Sequence, residues 1–190
     1  KTLDNTPTIS GTAPPGAKVD VVINGKTYST TADPNGQYAI NVPDALPDGT
    51  YTPEIRVTPP GGNTTSTDGT PFTIDTTPPT IVVTSSATTL SEGQTTTITF
   101  KLSEASTDFT QDDVAVTGGT LSNWVKVNAT EYTATFTPTA GTQGTATVHV
   151  ASNKFADAAG NTNQDGTDTA VDNTNIVNLT INTLPPSTTT

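Results

Sequence analysis

Short runs of alternating apolar and polar residues, interrupted by glycine, proline or Asn-Gly pairs, are the feature that most restricts the fold of this chain. Val19, Val21 and Ile23 fall on one face of such a run, because successive side chains of a strand point to opposite faces. The Asn24-Gly25 pair that follows is a hairpin signal, since both turn positions need a positive φ. No run keeps apolar residues at helical spacing for more than about two turns. The sequence therefore predicts an all-β chain.

A four-residue pattern of an apolar residue, aspartate, a small polar residue and threonine occurs three times, as LDNT at 3–6, IDTT at 74–77 and VDNT at 171–174. Proline and Thr-Ile follow the first two copies, which is typical of a strand end, a stiff connection and a new strand. A chain of 190 residues suits two small sandwiches of roughly 100 residues each. We therefore expect two tandem immunoglobulin-like antiparallel β-sandwiches, at 1–75 and 76–173.

The remaining residues, 174–190, contain one strand-like run, IVNLTI at 176–181, and we interpret them as a linker or as the start of a truncated next repeat. The candidate strands of the first domain are 7–12, 18–23, 26–31, 37–42, 50–58 and 70–75. Those of the second domain are 80–85, 94–103, 112–117, 124–128, 131–137, 144–151 and 166–172. Seven strands are the number found in the simplest immunoglobulin-like sandwich.

Composition and charge argue against several classes of function. The net charge of −11, with only 7 lysines and arginines, is opposite to what a phosphate backbone attracts, so we expect no nucleic-acid binding. No apolar stretch approaches the roughly 20 residues that span a bilayer. The chain has no cysteine, no nucleophile-elbow serine and no phosphate loop, and we expect it not to be an enzyme. It begins within the pattern at Lys1, as a segment of a longer protein would.

Strand direction predicts a metal site at the connection between the two domains. Asp75 lies in that connection, and alternate strands of the second domain return to it. The loops that follow those strands begin at Glu104 and carry Asp157 and Asn161. Carboxylate and amide oxygens are the ligands that Ca²⁺ prefers, and three carboxylates at one point would repel each other without a cation. The alternative is that these residues only cap turns.

Other polar residues give weaker indications. Asp33, Asp44 and Asp48 could complete the metal site or could be ordinary turn acids, because six strands give the first domain no consistent direction. His149 alternates with valines and is expected on an outer face, without a partner for chemistry. Trp124 is expected to pack in or beside the core; a sugar-stacking platform is the alternative.

Several longer stretches carry a family pattern: PTISGTAPPGAKVDVVINGKTY, ADPNGQYAINVP, ITFKLSEASTDFTQDDVAVTGGTLSNW, EYTATFTPTAGTQGTATVHVA and FADAAGN, together with IDTTPPT between the domains. These stretches resemble the bacterial Ig-like repeats of giant adhesins exported by type I secretion, of the biofilm-forming type. The resemblance implies spacers in long arrays, often stiffened by calcium at the joints. The first domain departs from the pattern, because Pro59-Pro60-Gly61-Gly62-Asn63 stands where the second has an acidic residue at 157.

The resemblance therefore implies a structural spacer of a bacterial cell-surface adhesin, outside the cell and active in attachment and biofilm formation. Its expected partners are neighbouring Ig-like repeats of the same chain, and a host or surface ligand bound through other parts of the parent protein. We expect a monomer. The alternatives are a module that binds a glycan, a host protein or ice, and an accessory domain of a secreted polysaccharide-degrading enzyme.

Overall fold

The computed structural model describes residues 1–164 and 174–187, and the chain divides into two compact units, Lys1–Thr77 and Pro78–Thr190. Within the described residues both units are built from strands, with one 3₁₀ turn and no α-helix. No helix in these residues is long and apolar enough to cross a bilayer. The predicted all-β fold class is confirmed.

Unit 1 contains eight strands: β1 Thr8–Thr12, β2 Lys18–Ile23, β3 Lys26–Thr31, β4 Gln37–Asn41, β5 Gly49–Tyr51, β6 Glu54–Thr58, β7 Thr65–Asp68 and β8 Phe72–Ile74. A four-stranded sheet has the order β3-β2-β6-β7, and two shorter pairs, β1-β4 and β5-β8, lie beside it. All of these pairings are antiparallel. Buried apolar side chains of unit 1 form two small clusters, one around Val19 and Val21 and one around Val42 and Ile74.

The hairpin predicted at Asn24-Gly25 is present, with φ of 50° and 74° at the two turn residues. Two expectations for unit 1 were wrong. The candidate strand 50–58 divides into β5 and β6 around Pro53, because proline cannot donate to the ladder. The sequence also gave no sign of β7, whose four side chains are all exposed.

Unit 2 is a sandwich of two four-stranded sheets. Its strands are β9 Ile81–Ser85, β10 Thr89–Ser91, β11 Thr96–Leu102, β12 Ala115–Thr117, β13 Gly119–Lys126, β14 Glu131–Pro138, β15 Gln143–His149 and β16 Ile176–Asn182. One sheet has the order β13-β14-β11-β9 and the other β10-β16-β15-β12. Every pairing is antiparallel except β10 with β16.

The prediction for the tail was wrong. The run at 176–181 is β16, which pairs with β15 from Ile176 to Asn182 and with β10 on its other side. It completes unit 2 and does not start a further repeat. The candidate strand 112–117 is shortened to β12, because a 3₁₀ turn occupies Gln111–Asp113. The candidate strand 166–172 lies outside the described residues.

The core of unit 2 is a single cluster of sixteen buried apolar residues, with an aromatic group at one end. Phe109 lies at the centre of this group, with its ring centroid 5.1 Å from Tyr132 and 5.0 Å from Phe155. Trp124 is partly buried against the same core, 5.5 Å from Phe109, as the packing interpretation predicted. The partly exposed His149 ends β15 beside buried Val148, as expected for an outer face.

Candidate metal site

Two loops of unit 2 carry most of the candidate ligands, and the structure joins them directly. Loop 103–110 follows β11, and loop 152–164 follows β15. An isolated antiparallel bridge pairs Ser106 with Asp157. One carboxylate oxygen of Asp108 accepts hydrogen bonds from the Ser106 hydroxyl at 2.8 Å and from the Ala156 N–H at 2.9 Å. Asp108 therefore links the two loops through a hydrogen bond between residues 48 positions apart.

The carboxylate of Asp157 organises the second loop. Its Oδ1 accepts the N–H groups of Ala159, Gly160 and Asn161 at 2.8–2.9 Å, and the Asn161 amide nitrogen donates to its Oδ2 at 2.9 Å. Burial alone would raise the pKa of Asp157, but the hydrogen bonds from the Asn161 side chain and from the three N–H groups lower it below its usual value. The group is therefore ionised at neutral pH, with Oδ1 turned into the loop.

Asn163 fixes the start of the same loop. It is completely buried; its amide oxygen accepts the N–H groups of Lys154 at 2.7 Å and Phe155 at 3.0 Å, and its amide nitrogen donates to the Ala151 carbonyl at 3.0 Å. A buried amide with all these partners cannot move without leaving polar groups unsatisfied. Asp157, two residues beyond Phe155, is thus held in place from both sides.

Glu104 and Asp157 come together as the strand-direction argument predicted. One carboxylate oxygen of Glu104 lies within 4.8 Å of one of Asp157, with Asp157 buried and Glu104 partly exposed. Two oxygens bound to the same Ca²⁺ at 2.3–2.6 Å are separated by at most about 5 Å, so this spacing fits a shared cation. The Asn161 side chain reaches Asp157 and would offer its amide oxygen to the same ion.

Asp75 is near the end of unit 1 and is buried. Its N–H donates to the Thr2 carbonyl at 2.9 Å, and Lys1 Nζ forms an ion pair with its Oδ2 at 2.9 Å. Because Pro78 begins unit 2, only Thr76 and Thr77 separate Asp75 from that unit along the chain. A residue spans at most about 3.6 Å of extended chain, so Asp75 is anchored within a short reach of the start of unit 2.

The family of the chain follows from its match to known sequences. Two family models, both described as a bacterial Ig-like domain, match residues 1–76 and 75–177, and the second alone covers more than half of the chain. The chain belongs to the bacterial Ig-like domain family. The second match ends within β16, which agrees with β16 being part of this Ig-like unit.

Two solved structures resemble the chain weakly. Invasin, described as a bacterial integrin-binding protein, is 18% identical with a TM-score of 0.40, over 95% of this chain and 36% of its own. The SGBP-B protein of a mixed-linkage glucan utilization locus of Bacteroides ovatus, solved with a mixed-linkage heptasaccharide, is 20% identical with a TM-score of 0.30, over 94% and 41%. The chain therefore spans about two fifths or less of these proteins. No curated protein matches it.

The connection between the Ig-like units is anchored on its unit 1 side by Asp48, a residue whose position the sequence had left open. The Asp48 carboxylate accepts the Thr76 N–H at 2.9 Å, the Thr76 hydroxyl at 2.7 Å and the Thr77 hydroxyl at 2.7 Å. The hydroxyl hydrogen bonds from Thr76 and Thr77, and then the Thr76 N–H, lower the pKa of Asp48. Asp48 is thus charged and bound to the connection at neutral pH.

The connection is anchored on the unit 2 side as well. The Gln164 N–H donates to the Pro79 carbonyl at 3.1 Å, and Thr80 exchanges hydrogen bonds with Ser103, through its N–H to the hydroxyl at 2.8 Å and its carbonyl to the N–H at 2.9 Å. Only Pro78 lies between the last residue held by unit 1 and the first held by unit 2.

The other acids of unit 1 are local. Asp33 caps its own turn by accepting the N–H groups of Asn35 and Gln37, each at 2.9 Å. Asp44 pairs with Lys26 at 3.0 Å and accepts the Tyr28 hydroxyl at 2.9 Å. Asp33 therefore fits the turn interpretation, and Asp44 instead binds two side chains of β3. Asp48, Asp108 and Asn163 have positioning roles that the sequence did not reveal.

Proposed function

We propose that this chain is a structural spacer of a bacterial cell-surface adhesin, in which consecutive Ig-like units hold an attachment region away from the cell. The observation that carries the proposal is the anchoring of the connection on both sides, by Asp48 in unit 1 and by Ser103 and Gln164 in unit 2. Such a connection has few free torsions. The proline between the anchors has a fixed φ, and it also restricts the residue before it. A repeating array of such units would therefore resist bending.

We also propose that calcium stiffens this connection, with Asp75, Glu104 and Asp157 as carboxylate ligands and Asn161 as an amide ligand. The 4.8 Å limit on the Glu104–Asp157 oxygens and the short reach of Asp75 support this ligand set. The Asp157 loop is ordered by its own hydrogen bonds, so little reorganisation would be needed on binding. The ion would supply the positive charge that neighbouring carboxylates need at close range.

A location outside the cell is consistent with this chemistry. Extracellular calcium modules commonly have dissociation constants of about 10⁻⁴ to 10⁻³ M, so such a site fills where calcium is abundant. Its partners would be the neighbouring Ig-like repeats of the same chain, with host or surface ligands bound elsewhere in the parent protein. The chain itself would act as a monomer without catalysis.

The calcium proposal is tested by thermal melting of the full chain in calcium and in chelator. Calcium at a hundred times its dissociation constant should stabilise the folded chain by about 2.7 kcal/mol. Glu104→Gln should remove most of this gain, because it keeps the side-chain shape and loses one ligand charge. Glu92→Gln, at an exposed position elsewhere in unit 2, is the matched control and should keep the gain. Melting that is indifferent to calcium would overturn the proposed site.

The spacer proposal is tested separately by loosening the connection. The chain has no cysteine, so spin labels can be placed uniquely on cysteines introduced at Thr27 and Asn128, both exposed. Inserting Gly-Ser-Gly-Ser between Thr77 and Pro78 should broaden the distribution of label distances. The same insertion between Gly61 and Gly62 is the control and should leave it unchanged. A distribution that is already broad in the unmodified chain with calcium would contradict a stiff spacer.

A further inference from the structure

Unit 1 contains an open groove lined by residues of β1, β4, β6, β7 and β8, with a volume of about 750 Å³. Its apolar lining includes Ile9, Tyr38, Ile55, Val57 and Phe72. The volume lies within the range of about 300–1,000 Å³ that is usual for ligand sites. None of the four candidate metal ligands lines the groove.

One wall of the groove is the unpaired edge of β1. The Val42 N–H donates to the Pro7 carbonyl at 3.0 Å, which sets the phase of the antiparallel ladder between β1 and β4. Because hydrogen-bonded pairs alternate along such a ladder, the odd-numbered residues of β1 face β4. The even-numbered residues therefore turn their N–H and C=O groups to the open edge; they are Thr8, Ser10 and Thr12, all of which line the groove.

A second unpaired edge, that of β7, also contributes to the groove. The Gly69 N–H donates to the Pro53 carbonyl at 2.7 Å, so the odd-numbered residues of β7 face β6 and the even-numbered ones do not. Asp68, one of these even-numbered residues, lines the groove. An apolar floor between two strand edges is the arrangement that accepts an added strand, with backbone hydrogen bonds at an edge and alternate side chains inside.

The groove also offers a hydroxyl and two carboxylates to a ligand. The Tyr38 hydroxyl has no hydrogen bond to any described residue, and burial raises the pKa of Tyr38. The carboxylates of Asp4 and Asp68 line the groove without an ion pair to any described residue, and none of the described residues that line it is a lysine or arginine. The charge of the groove thus complements a basic side chain.

We propose that this groove binds an extended peptide segment by strand addition to β1. The backbone of the peptide pairs with Thr8, Ser10 and Thr12, and its alternate apolar side chains lie on the floor beside Ile55. A lysine or arginine of the peptide reaches one of the two carboxylates, and a peptide carbonyl accepts the Tyr38 hydroxyl. This is a binding activity in addition to the proposed spacer role and does not depend on calcium.

A peptide fits the groove better than a sugar. Sugars stack on an open aromatic face, but the Tyr38 ring lies against the backbone at Gly11, where an added Cβ would be 2.6 Å from the Tyr38 hydroxyl oxygen. A sugar would also leave the row of parallel backbone donors and acceptors of β1 without matched partners. An extended peptide satisfies that row with the same groups at the same spacing.

The test uses the full chain and a capped heptapeptide of alternating valine and threonine that ends in lysine. Binding is followed by amide NMR and hydrogen exchange, and the N–H groups of Thr8, Ser10 and Thr12 should exchange freely in the unbound protein and become protected on binding. Two control peptides are N-methylated at the valines or at the threonines. One of them should lose binding and the other should keep it, because only alternate amides face β1.

Variants test the edge and the hydroxyl separately. Ser10→Pro removes an N–H from the open edge without removing one from the β4 ladder, and should weaken binding about tenfold, the equivalent of one good hydrogen bond. Thr27→Pro is the control, on the unpaired edge of β3 away from the groove, and should leave binding unchanged. Tyr38→Phe should weaken binding about threefold to tenfold and covers the case in which Ser10→Pro does not fold.

The proposal is overturned by any of three results. The first is the absence of shifts in the amides of β1 at millimolar peptide. The second is equal binding of both N-methylated peptides, which would mean apolar adsorption without strand pairing. The third is tighter binding of a glucan oligosaccharide than of the peptide with Ser10→Pro unaffected, which would identify a carbohydrate site.

Discussion

Replacement of Phe155 by alanine should destabilise unit 2 by about 4 kcal/mol. Phe155 is 2% exposed, and its ring lies 5.0 Å from that of Phe109. Buried Phe→Ala substitutions cost about 3–5 kcal/mol, and the cost is greatest where the site cannot collapse. Collapse is restricted here, because the Phe155 N–H and carbonyl are both hydrogen-bonded to Asn163, at 3.0 and 2.8 Å. We therefore expect a loss of stability in the middle of that range of about 3–5 kcal/mol, or above it.

The assay is differential scanning calorimetry of the full chain, in which unit 1 serves as an internal reference. For a domain of about 100 residues, 1 kcal/mol shifts the melting temperature by about 4 °C or more, so the unit 2 transition should fall by roughly 15 °C. The matched control is Val127→Ala, at a side chain that is 53% exposed, and it should stay within about 0.5 kcal/mol of the parent.

A loss of less than about 1 kcal/mol at Phe155 would refute this reasoning, since it would mean that the 152–164 loop is not fastened to the core by its aromatic side chain. An equal fall in both transitions would also refute it, because the change would then not be confined to unit 2.

Three further outcomes are expected. Asp108→Ala should raise the hydrogen-exchange rate of the Ala156 amide by about tenfold through loss of its acceptor, and unchanged exchange would contradict the link between the two loops. The pKa of Asp157 is lower in the folded chain than in the unfolded chain, so its ionised carboxylate contributes to the free energy of unfolding above the unfolded pKa of about 3.9. That contribution is lost as the pH falls through the folded pKa. Acid titration of Asp157→Asn should therefore show a smaller loss of stability below about pH 4 than the parent. Gly141→Ala should cost about 1 kcal/mol for its φ of 68°, whereas Gly118→Ala, with φ of 72° and an added Cβ only 2.8 Å from that of Ala146, should cost about 2–4 kcal/mol in urea unfolding.

Longer strands with a buried face were predictable from sequence, because alternation reports burial, whereas the three-residue β10, with only Leu90 buried, was missed. The β2–β3 hairpin illustrates this, since its turn and both of its strands follow from local chemistry. Strand β7 has no buried side chain, so periodicity has nothing to detect there. The omission of β7 and the division of 50–58 into β5 and β6 explain why six strands were expected in unit 1 and eight are present. The partners of β16 are set by contacts distant in sequence, and no local pattern separates a last strand from a first one.

The candidate site was likewise predictable only in part: the meeting of its loops was predicted, but the residues that position them were not. Strand direction alone predicted that the loops of Glu104 and Asp157 meet, because it depends only on the number of strands between them. The residues that hold those loops were missed. Asp108 accepts a backbone N–H of the other loop, and Asn163 accepts backbone N–H groups of residues about nine positions away. The sequence of a loop does not distinguish an Asp or Asn that makes such hydrogen bonds from one that does not.

The place of β16 has a consequence for the order in which the chain can fold. Unit 1 has all of its strands once Ile74 is available, but the sheet of unit 2 stays divided until Ile176–Asn182 arrives between β10 and β15. If the chain emerges amino end first, from a ribosome or through an export channel, unit 2 keeps two strand edges, those of β10 and β15, exposed to other chains until Asn182 has emerged. A lag between the two folding events, with the second timed by the emergence of Ile176–Asn182, is therefore built into the strand order.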